Sequence, residues 1–380
     1  MTRTGLFVLV AGLSLVAAGW WLAWPSFLAV GLALLAAVVA GAATVLRPSR
    51  LRLHRDLAPD RVTKGGTVVT VLRIESRSRR TIHGLDAVQR VGTRALPTAL
   101  PKVRPGEVIS RAVSFTATER GVFEIGPVEV VRRDPFGLFH LVRAHGRPEP
   151  LWVYPRDLRL RTVPSGKVRH LEGPSSDTAP TGDITFHRLR EYEAGDDHRT
   201  IHWRSTARRS DGALLVRHNV DTSQPYTVVL LDLRPEVHAS TTFEEAVDVA
   251  ASVLVAATAG VAPAQLRTTA GARVGGHRSR EARPMLDHLA AVEPASEGDL
   301  ATELHLLRRE RGGTALVVVT GAVADGDLPG VGMLRRRFDR VVLVSVTPDP
   351  RPVHFPGVTV LAAHDADEVA RGWTGVGGHR

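Results

Sequence analysis

Residues 227–259, TVVLLDLRPEVHASTTFEEAVDVAASVLVAATA, decide the fold of the second half of the chain. The run at 227–231 is apolar and β-branched, as expected for a strand that is buried on both faces of a parallel sheet. After a short loop, the segment 243–259 places apolar side chains on one broad face of a helix, at 247, 250, 251, 254 and 255. A buried strand followed by an amphipathic helix predicts one βα unit of a doubly wound α/β domain.

The same alternation continues toward the C-terminus. Apolar runs and amphipathic segments predict further strands and helices, at 265–269, 282–292, 300–309, 314–320 and 340–346. We assign this α/β domain, with the segment that precedes it, to residues 191–372, and a flexible tail to 373–380. In an open α/β sheet the ligand crevice lies at the carboxyl ends of the strands, so the functional face is expected there.

Residues 1–50 predict a transmembrane helical hairpin. No charged residue occurs between Arg3 and Arg47, and Pro25 divides this stretch into apolar runs at 6–24 and 27–46. Each run is close to the roughly 20 residues that a helix needs to cross a bilayer. Basic residues flank both outer ends, so the positive-inside tendency predicts a cell-membrane protein with two transmembrane helices and cytoplasmic soluble domains. Cleavage as a signal peptide is the alternative, but apolar sequence continues well past any cleavage site.

Residues 51–162 contain short alternating runs separated by Gly and Pro, which predicts a β-sandwich. The runs lie at 68–74, 108–115, 122–125 and 128–131. The segment 134–139, DPFGLF, has the composition of a fixed structural corner, because its proline disfavours helix and its glycine accepts a positive φ. The sandwich is interpreted either as a recognition module or as a spacer. Residues 163–190, rich in Gly, Pro, Ser and Thr, predict a linker.

Composition removes several classes of site. The chain has no cysteine, which excludes disulfides, thiolate metal sites and cysteine nucleophiles. It carries no phosphate-binding loop with lysine, no Gly-x-Ser-x-Gly elbow and no metalloprotease motif. The net charge is +10 at pH 7. For a membrane-anchored chain without a nucleic-acid-binding module, this charge favours an anionic lipid surface over nucleic acid as the partner.

The most distinctive segment is 190–209, REYEAGDDHRTIHWRSTARR. Asp196 is placed to cap a short helix that runs to Arg208. His198 and His202 have the i, i+4 spacing of helical zinc ligands. One hypothesis is a metal or acid/base cluster; the other is an ion-paired structural knot in which the aspartates pair with arginines and the tryptophan packs. The nearby arginines disfavour a cation, so we expect the knot.

This segment resembles the signature of the domain of unknown function 58 family. The matching positions are Tyr192, Gly195, Asp196, Arg199, Ile201, Trp203, Ala207 and Arg208. The corner at 134–139 also resembles an element of that family. The resemblance implies that the C-terminal domain is similar in fold to the von Willebrand factor A domain. It further implies a protein partner and suggests a MoxR-type AAA+ ATPase, with which such proteins are commonly paired.

Domains of the von Willebrand type often hold Mg²⁺ with an Asp-x-Ser-x-Ser loop after the first strand. Here that loop is degenerate, with Asp232, Arg234 and Glu236 but neither serine. Mg²⁺ requires near-ideal oxygen geometry, which these residues do not supply. We therefore predict no metal and no cofactor at this loop, and expect Arg234 to pair with Asp232 instead.

Three hypotheses for function follow. The sequence favours a membrane-anchored scaffold or adaptor that is not an enzyme and binds a protein partner through its α/β domain. A second hypothesis is a hydrolase that uses Asp196, Asp197 and His198. A third is a basic surface that binds anionic lipid, which is compatible with the first.

Overall fold

The computed structural model describes residues 1–47, 50–161, 185–191, 201–208, 214–220, 226–239, 241–260, 262–310, 312–324 and 326–376. The chain divides into two compact units, Met1–Arg156 and Asp157–Arg380. The first unit holds two apolar helices and two β-sheets, and the second holds mixed sheets with alternating helices and strands.

The first unit begins with two antiparallel helices, α1 (Arg3–Trp21) and α2 (Pro25–Leu46). Both are long and apolar enough to cross a membrane. Glycines let them approach closely: a Cβ at Gly19 would lie 2.6 Å from the Leu28 nitrogen, and one at Gly31 would lie 2.8 Å from the Val16 nitrogen. Small residues at such contacts are typical of helices packed in lipid. The tryptophans at the connection are exposed, as expected for an aromatic belt: Trp20, Trp21 and Trp24.

Nine strands follow: β1 (Leu51–Ala58), β2 (Arg61–Thr63), β3 (Thr67–Ser76), β4 (Leu85–Val91), β5 (Arg94–Ala99), β6 (Val108–Thr116), β7 (Gly121–Arg133), β8 (His140–His145) and β9 (Glu149–Tyr154). They form a three-stranded sheet in the order β1-β3-β6 and a larger sheet in the order β2-β9-β7-β4-β5, in which β8 also pairs with β7. Side chains of both sheets share hydrophobic clusters, as Leu72 of β3 does with Leu85 of β4 and Val128 of β7. The two sheets therefore enclose a common core.

Two predicted runs in this region belong to one strand. The runs at 122–125 and 128–131 are both part of β7, which continues through Gly126 and Pro127. The first part of β7 pairs with β9 and the second with β8, while β4 pairs along both. The Gly-Pro pair, which was interpreted as a break between strands, lies inside a strand that changes partners at that point.

The second unit opens with β10 (Thr185–Glu191), α3 (Trp203–Thr206) and β11 (Leu215–Val220). β10 and β11 form a two-stranded antiparallel sheet. The predicted linker at 163–190 therefore ends in a strand, and its residues 163–184 lie outside the described residues. Of the helix predicted from Asp196 to Arg208, residues 196–200 lie outside the described residues, and the described part holds a single helical turn, α3.

The rest of the second unit alternates strands and helices: β12 (Thr227–Leu231), α4 (Thr242–Ala259), β13 (Ala264–Thr268), β14 (Arg273–Gly275), α5 (Arg283–Ala291), α6 (Leu300–Arg309), β15 (Gly313–Thr320), α7 (Asp327–Met333), β16 (Phe338–Val346), β17 (Thr359–Ala363) and α8 (Ala366–Val376). The sheet order is β14-β13-β12-β15-β16-β17. All neighbours are parallel except β13 and β14. The predicted strands and helices of this region are confirmed with small differences at their ends.

Helices cover both faces of this sheet. One hydrophobic cluster joins Val229 and Leu231 of β12 to α4, α5 and α8, and the other joins Val228 and Leu230 to α6 and α7. Alternate residues of β12 thus face opposite layers, which explains why the whole strand is apolar. Helix α8 covers residues 373–376 of the predicted flexible tail, and its Trp373 is buried; residues 377–380 lie outside the described residues.

Candidate functional site

The candidate site lies at the carboxyl end of β12, where the strand order of the sheet reverses direction. Chain order proceeds from β12 to β13 on one side and resumes with β15 on the other. Ligands of open α/β sheets bind at such a switch point. Asp232 is the first residue after β12, and its backbone N–H donates to the Val319 carbonyl of β15 at 2.9 Å. The carboxylate is therefore held between the two central strands.

The Asp232 side chain is fully buried, and Arg234 balances its charge. Arg234 Nη2 lies 2.7 Å from Asp232 Oδ2, and Nε lies 3.0 Å from Oδ1. This two-point geometry is the strongest common form of a carboxylate–guanidinium pair. The pair that the sequence suggested is thus present. Hydrogen bonding to Asp232 raises the pKa of the Arg234 guanidinium, which stays charged at any accessible pH.

Further polar groups complete the site. Thr320 Oγ1, at the end of β15, donates to Asp232 Oδ2 at 2.8 Å. Arg234 Nη2 also reaches Asp327 Oδ2, at the start of α7, at 3.2 Å. Two carboxylates therefore contact one guanidinium, and the Thr320 hydroxyl binds the first of them, Asp232. The sequence had identified only the first carboxylate. The sequence did not identify Thr320 or Asp327 as site residues. Thr320 ends a strand and Asp327 begins a helix, and no short motif links either residue to Asp232.

His238 contacts the backbone of the loop that follows β12. Its Nε2 lies 2.8 Å from the Asp232 carbonyl oxygen, and its ring packs edge-on against Phe243 with the centroids 5.3 Å apart. Because Nε2 faces a carbonyl oxygen it must carry the proton, which leaves Nδ1 as an acceptor. Nδ1 is buried and has no hydrogen-bond partner within the described part of the chain. Burial is the main cause that lowers the pKa of His238, so the neutral form is favoured.

Two other features shape the surface of this site. A Cβ at Gly321 would collide with the Val237 carbonyl oxygen, so only glycine allows the loops after β12 and β15 to touch. Ala322 N then donates to that carbonyl at 2.7 Å. Glu236 lies in the 3-10 turn Pro235–Val237 and is exposed. Of the three residues predicted for the degenerate loop, the structure thus joins Asp232 and Arg234 and leaves Glu236 at the surface.

This arrangement disfavours a bound cation. The oxygens of Asp232 already accept hydrogen bonds from Arg234 and Thr320, and the guanidinium fills the space between Asp232 and Asp327. A cation at this position would have to displace a covalently attached positive charge. Among the described residues there is no group of three or more His, Asp or Glu side chains arranged to hold a metal.

The signature segment is only partly described. Tyr192, Gly195, Asp196 and Arg199 lie outside the described residues, as do Asp197 and His198 of the hydrolase hypothesis. Ile201 is buried, whereas Ala207 and Arg208 are exposed. His202 caps α3, since its ring accepts from the Ser205 N–H at 3.3 Å. This role explains its place in the sequence without a metal.

Trp203 corrects one expectation. It was expected to pack within an ion-paired knot, but 65% of its surface is exposed. The residue stands at the first position of α3, a helix of one turn, which offers no groove to receive a large ring. Truncation of Trp203 should therefore cost far less stability than that of a buried tryptophan.

Residues 188–373 match the family model described as a protein of unknown function, DUF58. This DUF58 region contains the signature segment and the whole switch-point site. The match agrees with the resemblance that residues 192–208 carry. No curated protein matches the chain.

Several solved structures show distant likeness. The CARDB domain of PF1109 from Pyrococcus furiosus is 14% identical, with a TM-score of 0.23, over 28% of this chain and 94% of that one. The C-terminal domain of wzt is 11% identical, with a TM-score of 0.22, over 29% and 80%. A β-glucosidase from Listeria innocua in complex with glucose is 16% identical, with a TM-score of 0.17, over 28% and 16%. These scores are too low to establish a common fold.

Proposed function

We propose that this chain is a membrane-anchored scaffold or adaptor whose DUF58 region binds a protein partner at the strand-end face. This face comprises the loops after β12, β15 and β16, and its exposed residues include Glu236, Ala322 and Asp349. The observation that carries the proposal is the self-contained Asp232–Arg234–Asp327 network beneath it. Such a network gives the loops a fixed shape and needs no metal to do so.

The strand topology supports a von Willebrand factor A-like domain as the finer description of this region. The resemblance implies a doubly wound sheet with an aspartate after its first strand, and Asp232 directly follows β12 in a mostly parallel sheet with helices on both faces. In this proposal Arg234 takes the place of the ion in such a domain. Partner binding would then be independent of divalent cations.

Membrane anchoring rests on α1 and α2, which are long and apolar enough to span a bilayer. With basic residues at both outer ends, we propose cytoplasmic termini. Reporter fusions after Arg55 and at Arg380 test this topology, and both should report the cytoplasm. An external signal from the C-terminal fusion would overturn the orientation.

The partner-binding proposal has a matched pair of variants. Glu236→Arg changes an exposed charge on the strand-end face, and Asp339→Arg makes the same change near the start of β16, at the opposite end of the sheet. A purified MoxR-type AAA+ ATPase, the partner class that the resemblance suggests, is the probe. The first variant should weaken its binding to the full chain, because charge at an interface sets both encounter and specificity.

Binding that is present in the wild type and equally strong in both variants would place the interface elsewhere on the chain. Absence of binding to the wild type would reject the ATPase as the partner. Retention of binding in Asp339→Arg with loss in Glu236→Arg is the expected result.

A further inference from the structure

The helical hairpin is fixed to one end of the β-module through the corner at 134–139. Thr2 N donates to the Leu138 carbonyl at 2.8 Å, and Thr2 Oγ1 donates to the Gly137 carbonyl at 2.8 Å. A Cβ at Gly5 would collide with the Leu138 carbonyl oxygen. The start of α1 is therefore in direct contact with the corner, which the sequence predicted only as a fixed structural element.

The end of α2 meets the same region. A Cβ at Gly41 would lie 3.1 Å from Asp134 Oδ2, so this glycine allows the helix to approach the corner closely. Arg132 Nη1, near the end of β7, donates to the Arg47 carbonyl at 2.8 Å. Both helices thus place their outer ends, the ends far from the tryptophan-rich connection, at the corner.

The strand register brings further turns to this end of the module. Leu51, the first residue of β1, pairs with Ser76 at the end of β3. Arg77 N donates to the Arg50 carbonyl at 2.7 Å, and Gly106 N donates to the Ser76 carbonyl at 3.0 Å. The turns that follow β3 and precede β6 therefore lie beside the point where the chain leaves α2. We define the hairpin-end rim as the turns 77–84 and 100–107, the corner 134–139, and the adjoining residues Arg50 and Arg133.

The hairpin-end rim is strongly basic. Its exposed cationic residues are Arg50, Arg77, Arg79, Arg80, Lys102, Arg104 and Arg133. Only Arg77 and Arg133 have a carboxylate within salt-bridge distance in the described residues, at 3.0 Å from Glu75 and 3.5 Å from Asp86. The hairpin-end rim also holds one partly exposed acidic residue, Glu107, whereas the opposite rim carries Asp60, Glu119 and Glu149 alongside its basic residues. Positive charge is thus concentrated at the end where the hairpin docks.

One large apolar side chain projects from this basic rim. Phe136, at the tip of the corner, is 59% exposed, although the corner itself is rigid. Its rigidity comes from Asp134, whose carboxylate accepts from Phe136 N at 2.9 Å and Phe139 N at 2.6 Å. An exposed aromatic ring on a basic rim combines the two features by which interfacial segments bind anionic membranes.

We infer that the hairpin-end rim binds the anionic phospholipid headgroups of the membrane that the hairpin enters, with Phe136 inserted at the headgroup level. The inference rests on the proposed membrane anchoring. It adds a lipid-binding surface that is separate from the strand-end face. Anionic lipid is the partner that charge favours, and the continuity of the rim with the ends of two membrane-length helices brings the rim to the lipid surface.

Electrostatics around Arg132 agree with an anionic ligand. Burial, and then the charges of Arg47 and Arg143, lower the pKa of the Arg132 guanidinium. Arg47 and Arg143 therefore disfavour the charged form of Arg132, whose side chain also bonds to the Arg47 carbonyl at the end of α2. The negatively charged phosphate of a lipid headgroup near Arg132 would favour its charged form.

The absence of native cysteine allows a direct test on the full chain. Spin labels are attached at Phe136→Cys and, as a matched control, at Val122→Cys. Val122 is 40% exposed and lies near the opposite end of the module, at the start of β7. The full chain is reconstituted in phosphatidylcholine vesicles with and without phosphatidylglycerol, and accessibility to oxygen and to an aqueous nickel reagent is measured.

The label at 136 should be accessible to oxygen and shielded from the nickel reagent. Phosphatidylglycerol should increase this shielding. The label at 122 should stay accessible to the nickel reagent in both kinds of vesicle. Adding Arg79→Glu and Arg80→Glu should lower the ratio of immersed to aqueous label at 136 by about tenfold or more, since each basic residue near an anionic surface contributes about fivefold. Equal aqueous exposure at both positions would overturn the inference, and so would indifference to phosphatidylglycerol.

Extraction at alkaline pH separates this inference from the anchoring on which it rests. A chain that stays in the vesicles while its label at 136 is aqueous refutes lipid binding by the rim and leaves the anchor intact. A chain that is released refutes the anchor, and the inference with it.

Discussion

Two of the buried aspartates, Asp134 in the first unit and Asp232 in the second, are stabilised in different ways. Asp134, in the corner of the first unit, is satisfied by the backbone N–H groups of Phe136 and Phe139. Asp232, at the switch point of the second unit, is satisfied mainly by the side chains of Arg234 and Thr320. Both carboxylates sit in short irregular segments, and both are almost or fully inaccessible to solvent.

The difference shows what each segment is suited to do. Backbone donors are fixed by the same turn that they stabilise, so Asp134 makes a rigid corner with one conformation. The partners of Asp232 are side chains instead. They join the loop after β12 to the end of β15 and the start of α7, beneath an exposed surface. We therefore associate Asp134 with docking of the hairpin and Asp232 with the partner-binding face.

The largest effect is expected when Asp232 loses its carboxylate. Asp232→Ala leaves the Arg234 guanidinium largely buried without its main partner, which typically costs about 3–5 kcal/mol. Hydrogen exchange of the β12 peptide in the full chain should report this loss. The double variant Asp232→Leu with Arg234→Met removes both charges and should recover much of the stability. A single variant as stable as the wild type would contradict the assignment of Asp232 to a coupled pair.

A smaller effect is expected at the corner. Asp134→Ala leaves the Phe136 and Phe139 N–H groups without an acceptor, which costs about 1–3 kcal/mol for a buried unsatisfied group. Exchange of the peptide covering 134–139 should then become roughly 5- to 150-fold faster. Asp134→Asn keeps one acceptor oxygen, so its exchange rate should lie between those of the wild type and Asp134→Ala. If Asp134→Asn were as labile as Asp134→Ala, charge rather than hydrogen bonding would hold the corner.

A third, smaller effect is the pH dependence of stability that His238 gives to the Asp232 loop. The folded-state pKa of His238 is lowered by burial, so the unfolded chain binds a proton more readily at this residue. The resulting stability is present above the unfolded pKa of about 6.5 and is lost as pH falls from there through the folded pKa. His238→Gln retains a donor to the Asp232 carbonyl and should reduce this loss between neutral and mildly acidic pH. An unchanged pH profile would show that His145 and His288, whose pKa values are also lowered, account for it.

Sequence patterns predicted the elements that follow from hydrophobic periodicity. The buried strands β12, β15 and β16 and the helices α4, α5 and α6 were each visible as a local run. The Asp232–Arg234 pair was also visible, because the two residues are close in the chain. Patterns did not indicate Thr320, which bonds to Asp232, or Asp327, which bonds to Arg234, because the parallel pairing of β12 with β15 brings these residues together.

Two further features depended on tertiary context. The exposure of Trp203 follows from the brevity of α3, which the capping signal at Asp196 did not indicate. The contact of the corner with the hairpin joins residues more than a hundred positions apart, such as Thr2 and Leu138. No local pattern encodes that distance, although the glycines at 5 and 41 are consistent with a close approach.

The central claim, that Arg234 takes the place of a metal at the switch point, is tested most directly by titration with Mg²⁺, Mn²⁺ and Ca²⁺. Thermal unfolding of the full chain in detergent can be followed by tryptophan emission, to which the buried Trp373 contributes. A ligand at 100 times its dissociation constant stabilises the folded state by about 2.7 kcal/mol, equivalent to several degrees for a domain of this size. We predict no change in the midpoint of the second unit with any of the three ions. A reproducible rise with Mg²⁺ that Asp232→Ala abolishes would show that the loop binds metal and would contradict the account.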